Sequence, residues 1–83
     1  EIVALDSSGG AFLLTLPNPA IMAVGHTMIV KDEAGHLAAN NVTLVPSAGG
    51  IDQGDATIAG TLVMATNGQA VRLYSNGVNW MQF

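Results

Sequence analysis

Apolar and polar residues alternate along this chain in short runs, and turn-forming clusters separate the runs. Glu1 to Leu5 alternates like a strand, and Asp6-Ser7-Ser8-Gly9-Gly10 follows with turn chemistry. Ala11 to Leu16 is a second apolar run, closed by Pro17-Asn18-Pro19 because proline donates nothing to a ladder. Ala20 to Val24 reads either as one helical turn or as an irregular crossover. Thr27 to Lys31 is a cleaner strand, ended by the turn Asp32-Glu33-Ala34-Gly35. Asn40-Asn41 leads into Val42-Thr43-Leu44-Val45, and Pro46 to Gly50 is a further loop. Ile51 to Asp55 is irregular, with Gly54 in a tight turn; Thr57 to Ala59 and Thr61 to Ala65 are strand-like.

The closing stretch carries the sharpest local signal. Asn76-Gly77 sits between two β-rich runs, Gln69 to Ser75 and Val78 to Phe83, and predicts a two-residue type I′ hairpin. Asn67-Gly68 is a second dipeptide of hairpin type. On that hairpin Tyr74 and Trp80 are expected to face each other. No stretch keeps a 3.6-residue period long enough for a substantial helix, and no repeat is present. About seven or eight short strands with turns between them predict an all-β domain, a small antiparallel sandwich or barrel.

Composition changes this picture in one respect. Hydrophobic residues make up 49% of the 83 residues, whereas charged residues make up only 10%. Soluble domains average roughly 25% charged residues, and a domain of this size buries only about 60–65% of its unfolded surface. A monomer would expose much apolar and neutral surface, so the composition predicts a homo-oligomer. One domain spanning residues 1–83 is expected, and the start at Glu1 rather than Met reads as part of a longer chain.

Charge and cysteine content exclude several classes. The net charge is -4 and the basic residues are Lys31 and Arg72 alone, which leaves no stripe to neutralise phosphates or anionic lipid. Without cysteine there is no disulfide, thiolate metal site or Cys nucleophile, which suits synthesis in a reducing cytosol. The longest apolar run, Ala20 to Val24, is too short to span a bilayer.

Candidate chemistry is sparse. His26 and His36, with Asp32 or Glu33, could hold a divalent metal only if the fold gathered them, since no metal spacing such as HxH is present; ordinary surface positions explain both histidines. Asp52 and Asp55 flank Gly54 and could be weighed as a glycosidase pair, but side-chain-to-backbone bonds in one turn account for both. No Ser-His-Asp set lies in a nucleophile-elbow context, and the Gly9-Gly10 and Gly49-Gly50 loops lack the lysine of a phosphate cradle. Trp80 and Tyr74 could stack on sugar rings, although a core anchor for Trp80 is the favoured reading. Met22, Met28, Met64 and Met81 read as gap fillers of the core or a subunit interface. No catalytic, cofactor-binding or metal residue is therefore assigned, and no cofactor is expected.

Taken in order, Leu5-Asp6-Ser7-Ser8-Gly9-Gly10, Thr15-Leu16-Pro17, Gly25, Lys31-Asp32, Gly35, Ala38, Asn40-Asn41-Val42-Thr43-Leu44, Ile51-Asp52-Gln53-Gly54 and Tyr74-Ser75-Asn76-Gly77-Val78-Asn79-Trp80 run through nearly the whole chain. This succession resembles a small β module of bacteriophage tail-fibre and head-fibre proteins. His36-Leu37-Ala38 and Ala65-Thr66-Asn67-Gly68 depart from that pattern. The resemblance implies a non-enzymatic, homotrimeric fibre segment in the C-terminal part of its chain, on the virion and made in the bacterial cytoplasm. It would present the loops Asp6–Gly10, Asp32–Leu37 and Pro46–Gly54 to a host saccharide or protein. Two alternatives follow from the same reading: a carbohydrate-binding module of a tailspike depolymerase, or a capsid or baseplate attachment domain.

Overall fold

A computed structural model describes residues 1–83. The chain forms nine strands: β1 (Ile2–Leu5), β2 (Phe12–Leu16), β3 (Thr27–Asp32), β4 (Val42–Pro46), β5 (Ile51–Asp52), β6 (Ile58–Ala59), β7 (Leu62–Met64), β8 (Ala70–Ser75) and β9 (Trp80–Gln82). They build a six-stranded sheet, β1-β3-β8-β9-β5-β6, and a three-stranded sheet, β2-β4-β7. One core lies between them. The larger sheet supplies Leu5, Met28, Val30, Ile51, Val71, Leu73 and Trp80; the smaller supplies Leu16, Val42, Leu44 and Met64. Strict alternation selects these residues. In β4, Val42, Leu44 and Pro46 are buried while Thr43 and Val45 lie on the other face, as the two-residue period of a strand requires.

The all-β sandwich forms as the sequence leads one to expect, but its pairing is mixed rather than antiparallel throughout. The pairs β1–β3, β2–β4 and β5–β9 are parallel; β3–β8, β4–β7, β5–β6 and β8–β9 are antiparallel. The cause is the order in which the chain visits the sheets. From β1 to β4, each strand lies in the sheet opposite its predecessor. Successive strands reverse direction across the core, so strands two apart run the same way and pair side by side. Bonds at the strand ends hold this interleaving: Glu33 N donates to Leu5 O (3.2 Å), Phe12 N to Asn41 O (3.3 Å) and Ser47 N to Leu16 O (2.8 Å).

Between β2 and β3, Ala20 to Val24 is mostly crossover. A 3-10 turn covers only Pro19–Ile21, capped by the Asn18 side chain, which accepts from Ala20 N at 2.9 Å.

Two turns differ from the hairpins read in the sequence. The β8–β9 hairpin exists, but Ser75 pairs with Trp80 and the connection is Asn76 to Asn79. Gly77 alone has positive φ there (91°), so the turn is not type I′. The Asn76 side chain accounts for the longer loop: its Oδ1 accepts from Val78 N (3.0 Å) and Asn79 N (2.8 Å). Asn67-Gly68 makes no hairpin, since β7 and β8 lie in different sheets. It forms a sheet-crossing turn in which Gln69 N donates to Thr66 O at 3.0 Å.

Candidate functional site

The surface carries no pocket, so what the molecule offers a partner is a set of faces, edges and loops. No helix is long and apolar enough to cross a membrane.

The two histidines stand at opposite ends of β3. His26 precedes the strand, half-buried, with its ring edge-on to Trp80 at 6.4 Å and Nε2 3.5 Å from Glu1 Oε1. His36 follows the turn after Asp32 and is exposed. A six-residue strand separates them, about 20 Å of extended chain. No group of three or more His, Asp or Glu side chains gathers where a metal ion could sit.

The carboxylates are engaged by their own loops. Asp52 is buried; its Oδ1 accepts from Gly54 N (2.9 Å) and Ala56 N (2.8 Å), and its Oδ2 from Gln82 N (3.3 Å). Asp55 Oδ1 accepts from Thr57 N at 2.9 Å, and the hydrogen bonds from Thr57 hold its carboxyl below the ordinary value. A general acid needs the opposite shift.

Asp32 belongs to this structural class and ties together distant parts of the chain. It is buried, and its Oδ2 accepts from Gly68 N (2.9 Å) while Oδ1 accepts from Gly35 N (3.1 Å) and Ala34 N (3.2 Å). The bond from Gly68 is the largest cause lowering its pKa, against desolvation that raises it. Lys31 Nζ donates to Gly68 O beside it. Asp6 is likewise lowered, chiefly by hydrogen bonds from Ser8.

The aromatic pair read from the sequence is split. Tyr74 pairs with Met81, and Trp80 with Ser75, so the two rings lie on opposite faces of the hairpin. Trp80 is fully buried and its Nε1 donates to Pro17 O at 2.9 Å. Tyr74 meets Phe83 instead, with ring centroids 6.1 Å apart, and the Arg72 guanidinium lies 5.3 Å above the Phe83 ring. Sequence reading missed Phe83 and Arg72, although alternation outward from Tyr74 was the available signal. Met28 and Met64 are in the core, Met22 packs against it, and Met81 is half-buried beside Tyr74.

The three loops expected to be displayed do not lie together. Asp6–Gly10 and Asp32–Leu37 share one end, where Glu33 N bonds Leu5 O and Asn40 Nδ2 bonds Ser7 O (2.8 Å). Pro46 to Gly50 lies at the other end, tied to the β8–β9 turn by Gly50 N to Asn79 Oδ1 and Trp80 N to Gly50 O, both 2.9 Å. Ile21, Val24 and Val78 are exposed at this second end, and neither Pro17–Gly25, Pro46–Gly50 nor Asn76–Asn79 contains a charge.

A second neutral surface is the outer face of the three-stranded sheet. No residue of β2, β4 or β7 is charged. Leu13, Thr43 and Val63 form one row across it, and Thr15 and Val45 the next. Leu13 is 70% exposed and Val63 is 50% exposed.

No known family model matches the chain, and no curated protein matches it in sequence.

Proposed function

We propose that this chain is a non-enzymatic structural and adhesive module of a phage fibre, acting as a homotrimer. The observation that supports this most directly is the wholly uncharged three-stranded sheet, whose outer face leaves Leu13 and Val63 in solvent. Such a face is favourable when another surface covers it, because no charge must be desolvated. Three copies on a rigid body would also multiply weak contacts made by their loops through effective concentration.

Light scattering after size-exclusion chromatography tests the reading. A mass near three times 8.5 kDa is expected. A single-chain mass at high concentration would overturn self-association.

A second reading, a saccharide-binding module, draws on Tyr74, Phe83 and Arg72. They form a small aromatic and cationic platform with Phe83 53% exposed. A glycan array separates it from the first: binding that is lost in Phe83→Ala supports it, and silence across the array removes it.

A further inference from the structure

The two sides of the sandwich are finished differently. On the side of β7, the strand edge is closed from within the chain. Gln53 Nε2 donates to Thr61 O (2.9 Å), and Gln69 Oε1 accepts from Ala65 N (3.1 Å) and Thr66 N (3.2 Å). Only Val63 keeps free backbone groups between them.

On the side of β1 and β2, both edges are open. Phe12 N bonds Asn41 O and Leu16 O accepts from Ser47 N, so Phe12, Leu14 and Leu16 face β4. The N–H and C=O of Leu13 and Thr15 therefore point away from the sheet. In β1, Ile29 N bonds Glu1 O and Glu33 N bonds Leu5 O, which leaves the backbone groups of Ile2 and Ala4 pointing outward. Neither edge carries the charge or proline that guards a solvent-facing strand. The core is also thin here: Val3 and Leu14 are only partly buried, and Phe12 is 37% exposed.

We infer that this side is a seam between copies of the chain, in which β1 of one copy pairs antiparallel with β2 of the next. The inference rests on the homo-oligomeric reading above and specifies its contact. β1 and β2 begin their respective sheets, beside β3 and β4, and run in opposite directions. A rotation about an axis parallel to the strands, alongside this side, brings the β1 edge of one copy to the β2 edge of its neighbour with antiparallel polarity. Three such contacts close a ring in which no β1 or β2 edge is left unpaired. The same rotation turns the uncharged outer face of Leu13, Thr43 and Val63 toward the neighbour's outer face of Ile2 and Ile29, a face that also carries Lys31 and Arg72.

The test uses the whole chain. Thr15→Pro removes an outward N–H of β2 and no bond to β4. Its mass should fall about threefold, to that of one chain, while Ala59→Lys, at an exposed position of β6 at the opposite end of the larger sheet from β1, keeps the wild-type mass. A wild-type monomer overturns trimer and seam together. A wild-type trimer that persists in Thr15→Pro overturns the seam alone. Cross-linking remains decisive where Thr15→Pro does not fold, because the chain has no cysteine of its own. An oxidised mixture of Ala4→Cys and Leu13→Cys should give the mixed disulfide dimer. Disulfides formed within either variant alone, with no mixed product, would show a two-fold contact of like edges and overturn the seam.

Discussion

Asp32 shows how a single side chain can hold parts of this fold together with no cation paired to its carboxylate. Its folded pKa is lowered below the ordinary 3.8 by backbone N–H donors, first among them Gly68. The sign of the linkage follows: the stabilisation is complete above the unfolded value and is lost as pH falls through the folded value, below 3.8. Asp6 and Asp55 shift in the same direction. Thermal melts should therefore be flat near neutrality and drop steeply in the acid range below pH 3.8. Asp32→Asn should melt lower at pH 7 and show a shallower acid limb; a limb identical to wild type would remove Asp32 as a cause. Ser7 makes the opposite case. Its Oγ is buried with no hydrogen-bond partner, so Ser7→Ala discards no bond and should leave stability within about 1 kcal/mol of wild type, or raise it. Urea denaturation decides this, and a loss beyond that range would reveal a partner for the hydroxyl.

Among the elements, strands were readable and their partners were not. The alternation in Thr27–Asp32 and Val42–Pro46 follows directly from the two-residue period, and most strand positions were legible in it. Pairing was not legible, because nothing local in Asp6–Gly10 says whether the next strand returns beside β1 or crosses over the core. The Asn-Gly pairs show the same limit. Asn67-Gly68 and Asn76-Gly77 are chemically alike, yet one crosses between sheets and the other closes a hairpin, since side chains outside the dipeptide (Asp32 for Gly68, Ser75 for Gly77) receive the glycine N–H groups. The carboxylates Asp52 and Asp55 were legible as turn formers, whereas Tyr74 facing Phe83 depended on a register the sequence does not display. Loop packing gives a sharp prediction at this scale. Gly49 has φ of 69°, and a Cβ there would lie 2.3 Å from Val78 O, a backbone atom of the β8–β9 turn. Gly25 has φ of 90° but open space around its Cβ position. Gly49→Ala should therefore cost about 2–4 kcal/mol, combining strain with displaced backbone, and Gly25→Ala about 1–2 kcal/mol. Equal losses in denaturant titrations would mean that the contact with Val78 is relaxed at no cost.

For the molecule as a whole, the shortage of charge and the open β1 and β2 edges are two aspects of one condition. A chain with 10% charged residues leaves Ile2, Leu13, Ile21 and Val24 each at least 70% exposed, a surface that favours association over solvation. Folding and assembly should then be coupled, and mass action makes that measurable. If three unfolded chains form one trimer, a hundredfold rise in protein concentration adds two-thirds of RT ln 100 per chain, about 1.8 kcal/mol. In a domain of this length that corresponds to a rise of roughly 7–15 °C in the melting midpoint. A midpoint independent of concentration would mean that the sandwich is stable without a partner. Thr15→Pro should abolish the dependence while Ala59→Lys on β6 keeps it, because only the first blocks an outward backbone group of β2. The slope of Tm against concentration thus tests whether the sparsely charged surface associates, and the two variants report which side of the sandwich any association uses.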